Sequence, residues 1–132
     1  MKKLMIIITI CSFFALLLAA CGADRSGDTA SGGSAPGNQV QMNDTQFVQS
    51  SITIHKGESI TLVSTTFTPH IIANGTWDNG QAKAAKESGA PEVKSVQING
   101  NSSGSIGPFT TAGTFKLYCT IHSGMNLTVI VQ

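Results

Sequence analysis

The chain has 132 residues, the size of one domain, and a formal net charge of +1 at pH 7. A charge so close to zero gives no electrostatic reason to expect nucleic acid as a partner. The sequence contains only three cysteines and three histidines, so any chemistry that uses these side chains depends on very few positions.

Residues 1–20 have the pattern of a secretory signal peptide. A short basic start, MKK, is followed by an apolar stretch that ends in small residues, which is typical of export and not of a transmembrane helix. The sequence LAACG at positions 18–22 resembles a bacterial lipobox, which implies cleavage before Cys21 and attachment of lipid to its sulfur. A plain signal peptide followed by a coincidental cysteine is the alternative.

A lipid on Cys21 would tether the mature protein to a membrane without spanning it. Each buried methylene contributes about 0.8 kcal/mol, so the two or more chains of a lipoprotein anchor hold stably where one chain holds marginally. Residues 22–38 are rich in Gly, Ser, Ala, Asp and Thr, and a segment with so little apolar bulk is predicted to be a flexible linker. We expect an extracytoplasmic protein anchored to the bacterial cell membrane, or to the outer membrane of a diderm bacterium.

The polarity alternates from residue 39 onwards. Three strands are predicted in VQMNDTQFVQ, SITIHKG and ESITLVSTT, with a tight turn at Gly57. His55 has the opposite parity from the apolar residues of its strand, so we expect its side chain to face solvent and not to bind a metal. His70 follows Pro69, which interrupts an ordinary sheet ladder and marks a strand end or edge.

The alternation is lost after residue 73. The stretch QAKAAKES contains good helix formers but spans barely two turns, so a loop with one short helical turn is predicted for residues 74–91. Trp77 is expected to plug the core beneath this loop and not to act as a redox element. Further strands are predicted at residues 93–98 and 106–109, with a turn at 99–104 between them.

Residues 113–132, GTFKLYCTIHSGMNLTVIVQ, are predicted to form a hairpin, because two runs of alternating apolar residues flank a short loop. Cys119 and Met125 end the two inward-facing rows, and His122 lies in the loop between them. With these strands the chain has seven or eight, which predicts an all-β Greek-key β-sandwich. A thiolate, an imidazole and a thioether at one end of its core suit a soft metal.

A thiolate and two imidazoles in a plane, with a weak axial thioether, form a known copper site. His70 is the candidate for the second imidazole, since His55 faces away. Cys11 leaves with the signal peptide and Cys21 carries lipid, so Cys119 is the only thiol in the domain and no disulfide is expected there. Taken alone, a small buried structural cysteine is the alternative.

The pattern Pro-His at 69–70, followed by Gly-Thr-Phe-x-x-Tyr-Cys-x-x-His-x-x-Met at 113–125, resembles the cupredoxins, the small blue copper proteins, over roughly residues 39–132. The two-residue gap before the methionine is similar to the short ligand loop of amicyanin, whereas plastocyanins carry a longer one. The resemblance implies one copper ion held by four ligands, three in the plane and the thioether on the axis: His70, Cys119, His122 and Met125.

Two positions depart from the family pattern. The family usually has Asn after the first histidine, where it hydrogen-bonds into the ligand loop, but this chain has Ile71. Amicyanin-like loops tend to carry Pro before the second histidine, but this chain has Ile121. Both departures concern the residues that orient the ligands more than metal binding itself.

Four protein ligands leave no open position for substrate, which predicts a carrier that cycles between Cu(II) and Cu(I) and not an enzyme. In the resembling family the loop histidine is the electron port, which implies His122 with Ile121 and Gly124 around it. The expected partners are redox proteins of a respiratory or photosynthetic chain, and we expect a monomer. The alternative is a protein that handles or delivers copper, which would need an exposed and exchangeable site.

Other classes fit the sequence less well. Methionine is a poor ligand for zinc. A cysteine hydrolase would need a third orienting group and an oxyanion pocket, neither of which is apparent. A multicopper enzyme would need further histidines, and a metal-free adhesion sandwich would have no use for Cys119.

Overall fold

The computed structural model of the chain describes residues 37–132. The predicted signal peptide, Cys21 and nearly all of the predicted linker lie outside the described residues. The described part contains nine strands: β1 Gln39–Met42, β2 Ser51–Ile54, β3 Ile60–Ser64, β4 His70–Asp78, β5 Gln81–Ala84, β6 Val96–Ile98, β7 Ser103–Ile106, β8 Gly113–Cys119 and β9 Asn126–Val131.

These strands pair into two sheets. One has three strands in the order β1-β3-β7, and the other has the order β2-β9-β8-β4-β5, with β6 also paired to β4. The β1–β3 and β2–β9 pairs are parallel, and parallel neighbours cannot be joined by a tight turn, so the chain crosses over between them. The predicted all-β Greek-key β-sandwich is confirmed, with nine strands in the described residues instead of seven or eight.

The predicted hairpin is formed by β8 and β9, which pair along their length from Gly113–Val131 to Tyr118–Asn126. Its alternating apolar residues are buried as predicted, because a period of two places them all on the face toward the other sheet. Both sheets supply the core, the smaller one through Val40, Met42, Ile60, Leu62 and Ile106, the larger one through Ile54, Ile72, Ile98, Phe115, Leu117, Leu127 and Val129.

The helical turn predicted within residues 74–91 is wrong. The strand β4 continues to Asp78, and the residues QAKA form β5, which pairs antiparallel with the second half of β4. The turn between them is Asn79-Gly80, with φ of 51° and 76°, a pair that favours a tight hairpin. Good helix formers over barely two turns cannot outweigh the backbone hydrogen bonds that this hairpin provides.

The next strands also differ in their bounds. The strand β6 is shorter than predicted, although Val93 before it is buried, and β7 begins within the predicted turn and ends before the predicted strand does. Phe109 is fully buried without belonging to a strand. Within residues 37–132 the structure contains no helix of the length and apolarity needed to cross a membrane.

Candidate metal centre

The pairing of β4 with β8 brings the predicted ligands together. His70 is the first residue of β4 and Cys119 is the last residue of β8. The two strands are antiparallel with Ile72 opposite Cys119. Because side chains two residues apart share a face of a strand, His70 lies on the same side as Ile72 and Cys119. His122 follows Cys119 in the short loop that leads to β9.

The donor atoms of three predicted ligands converge. The Sγ atom of Cys119 lies 3.8 Å from Nδ1 of His70 and 3.4 Å from Nδ1 of His122. The ligand atoms of all three residues lie within 4.8 Å of one another, and the two imidazole centroids are 4.9 Å apart. His70 and Cys119 are 0% exposed, whereas His122 is half-buried.

The two sulfur–nitrogen distances fit a metal ion held in a trigonal plane. With bonds of about 2.0–2.1 Å to imidazole nitrogen and about 2.3 Å to thiolate sulfur, as for zinc, a nitrogen and a sulfur at 120° lie about 3.8 Å apart. The two sulfur–nitrogen separations of 3.8 and 3.4 Å are close to that value. The donor set of two imidazoles and one thiolate is the one that suits copper.

Met125 lies beside this trio. Its side chain is 1% exposed. The Cys119 N–H donates to the Met125 carbonyl at 3.0 Å, and the Met125 N–H donates to the His122 carbonyl at 3.3 Å. These bonds close the loop, so the thioether residue enters the core at the same end as the three donors.

The electrostatics around His70 favour the form that binds metal. Burial lowers the pKa of His70, and the neighbouring His122 lowers it further, while the Asn43 backbone and the Asp44 carboxylate act in the opposite direction. Its Nε2 atom has no hydrogen-bond partner of good geometry among residues 37–132. A lowered pKa keeps the imidazole neutral at neutral pH, as metal binding requires.

The structure shows how Ile71 is accommodated. The Thr120 N–H donates to the Ile71 carbonyl at 2.8 Å, so main-chain atoms join the start of β4 to the ligand loop at this point. An asparagine side chain is therefore not required for that particular link.

Trp77 is placed differently from the prediction. It is only half-buried and is not part of the buried core, so the predicted core plug is wrong. Its indole Nε1–H donates to the Cys119 carbonyl at 2.8 Å, and Asn126 bonds its main chain. Sequence reasoning missed both residues, because the contacts join positions 42 and 49 residues apart and depend on the unpredicted β4–β5 hairpin.

The surface near the loop histidine is partly apolar. Ile121 is 50% exposed, and Gly124 is exposed as well. His55 is exposed, as predicted, and does not join the ligand cluster.

Comparison with known proteins identifies the class of this site. Residues 36–132 match the family of copper binding proteins described as the plastocyanin/azurin family. A plastocyanin from Ulva prolifera is 32% identical over 88 residues, which cover 65% of this chain and 86% of that protein. The chain belongs to the plastocyanin/azurin family of copper binding proteins, the cupredoxins, and its cofactor is one copper ion.

Solved structures agree on the fold. Amicyanin from Paracoccus versutus (Thiobacillus versutus) aligns with a TM-score of 0.56 at 22% identity, over 78% of this chain and 88% of that one. The reduced state of an amicyanin mutant aligns with a TM-score of 0.56 at 20% identity, over 83% of this chain and 95% of that one. At these identities the likeness supports the cupredoxin fold alone.

Proposed function

We propose that the protein is a membrane-tethered, extracytoplasmic carrier of single electrons that uses a blue copper centre. When bound, the copper ion supplies the one-electron change between Cu(II) and Cu(I). The observation that carries the proposal is that three of the four candidate ligands are buried in the core and only one reaches the surface. His70, Cys119 and Met125 are at most 1% exposed, and only His122 is half-buried.

The chain holds its ligands on rigid elements. His70 and Cys119 occupy the facing ends of two paired strands, and the loop that carries His122 is closed by main-chain hydrogen bonds. Ligands fixed in this way resist the change of geometry that the two oxidation states of copper would otherwise prefer. A site that needs little rearrangement suits rapid gain and loss of an electron.

The same residues argue against chemistry on a substrate. With copper bound, His70, Cys119, His122 and Met125 would occupy the positions that a catalytic metal leaves open to water. Burial of three of them also keeps solvent from the thiolate. We therefore assign transport of electrons and not catalysis.

Electrons would enter and leave through His122. Its ring is half-buried and Ile121 beside it is 50% exposed, so a redox partner can cover the ring with an apolar contact. We propose redox proteins of a respiratory or photosynthetic chain as these partners, and a monomer as the working form.

The anchor is proposed from the sequence of residues 1–38. Lipid on Cys21 would hold the domain outside the cytoplasm, on the cell membrane or on the outer membrane of a diderm bacterium. Cys21→Ser should release the protein from the membrane fraction, and mass spectrometry of the wild-type N-terminus should detect a lipid. Membrane attachment unchanged by Cys21→Ser would overturn this part of the proposal.

Visible spectroscopy tests the copper centre directly. Purified protein loaded with Cu(II) should show an intense band from thiolate-to-copper charge transfer that bleaches on reduction, and Cys119→Ala should lack it. The absence of this band in the wild-type protein would refute the electron carrier. Rapid loss of copper to a chelator would instead favour copper delivery.

A further inference from the structure

The end of β4 contacts the hairpin of β8 and β9, which carries Cys119 and Met125. Trp77 lies near the end of that strand, and its indole N–H donates to the carbonyl of Cys119 at 2.8 Å. The backbone N–H of Cys119 is already bonded to Met125. Both main-chain polar groups of the thiolate residue therefore have fixed partners, one within the hairpin and one on β4.

A second side chain fixes Trp77 in turn. Asn126 is the first residue of β9 and directly follows Met125. Its Oδ1 accepts a hydrogen bond from the backbone N–H of Trp77 at 2.7 Å, and its Nδ2 donates to the backbone carbonyl of Trp77 at 3.0 Å. The amide thus satisfies both main-chain groups of one residue, so it fixes the distance between β9 and the end of β4.

We propose that Trp77 and Asn126 are positioning residues that hold Cys119 and Met125 in their metal-binding arrangement. The pair forms a closed bridge from the thiolate residue, through the indole and its main chain, to the residue after the thioether. It supplies side-chain bonding to the ligand loop that Ile71 cannot make. The inference rests on the proposed copper centre, since positioning these residues matters only if they bind the ion.

The ring of Trp77 also packs against Tyr118. The two rings meet edge to face with centroids 6.2 Å apart and an angle of 83° between their planes. This packing orients the indole so that its N–H points to Cys119. Tyr118→Phe keeps the ring contact and does not touch the hydrogen bond to Cys119, which makes it the matched control for Trp77→Phe.

One experiment examines the bridge without copper. The chain has one tryptophan, so ¹⁵N NMR of the full chain gives a single indole N–H signal. We expect Asn126→Ala to speed the exchange of the indole N–H with solvent roughly 10-fold or more. Asn126→Asp keeps an acceptor for the backbone N–H of Trp77 and should speed this exchange less. The exposed Asn99→Ala is the control. Equal exchange in all four proteins would overturn the bridge.

A second experiment tests whether Trp77 holds Cys119 in its metal-binding position. Outer partners of metal ligands typically affect metal affinity 10–100-fold, so we expect Trp77→Phe to release Cu(I) to a chelator roughly 10-fold faster than Tyr118→Phe does. The visible bands should also change in relative intensity, while the melting temperatures of the two copper-free variants stay close. Matching release rates and spectra in both variants would overturn positioning. An absent band in the wild-type protein would instead refute the copper centre itself.

Discussion

Replacing Ile121 with Lys examines whether electrons pass through an apolar contact at His122. Ile121 precedes the loop histidine and is 50% exposed. It is not one of the four predicted ligands. We expect the substitution to slow electron self-exchange between reduced and oxidised protein and to leave the visible spectrum nearly unchanged.

The expected slowing of self-exchange follows from the exposed area of the Ile121 side chain. Full burial of an isoleucine side chain contributes about 1.5–3 kcal/mol. Since Ile121 is 50% exposed, roughly half of that, about 1 kcal/mol, remains available when another molecule covers it. Self-exchange joins two copies, so the loss is about 2 kcal/mol, or roughly 30-fold in the affinity of the encounter. Repulsion between the two new lysines adds to this at low ionic strength and is screened by salt.

The assay is line broadening in NMR spectra of mixtures of the two oxidation states, at low and high salt. Thr114→Lys adds the same charge at the opposite end of β8 from Cys119 and serves as the control. An Ile121→Lys exchange rate equal to that of Thr114→Lys at high salt would refute the apolar port at His122.

Further predictions concern stability. Burial lowers the pKa of His70 below 6.5, so the unfolded chain binds more protons than the folded one below that pH. The melting temperature of the copper-free protein should therefore fall as the pH drops from 7 to 5, and His70→Gln should flatten this dependence. Gly75→Ala should destabilise by about 3 kcal/mol or more, because its Cβ would lie 2.2 Å from the Lys83 carbonyl oxygen. Gly124→Ala, with open space around the same atom, should cost only about 1 kcal/mol from its positive φ, as urea denaturation would measure. Leu117→Ala should cost about 2–5 kcal/mol, because this side chain is fully buried.

The hairpin and its ligands could be predicted because their signal is local. A period of two in β8 and β9 places Cys119 and Met125 on the buried face whatever the rest of the chain does. Spacing along the chain then brings His122 close to both. The partner histidine could be chosen because the chain offers few alternatives, and its position beside Cys119 follows from the pairing of β4 with β8.

The β4–β5 hairpin could not be predicted by the same reasoning. Its second strand is exposed at every residue, so no alternation marks it, and its composition favours a helix. The Asn79-Gly80 turn was the available signal. Without this hairpin there was no basis for placing Trp77 near the metal centre, since a contact between side chains 42 residues apart leaves no periodic trace in the sequence.

The strand β4 therefore connects the inner and outer parts of the site. Its first residue is His70, whose ring is buried against the thiolate, and near its other end Trp77 holds the carbonyl of the same cysteine. Between them the Ile71 carbonyl binds the ligand loop through main-chain atoms, a link that a change of side chain does not remove. The ligand loop is thus fixed to one strand at three points, so the replacement of the usual asparagine by Ile71 need not loosen it. Because Gly75 lies between the second and third of these points and has a φ of 133°, a side chain at that position should disturb the bridge at Trp77 before it disturbs His70.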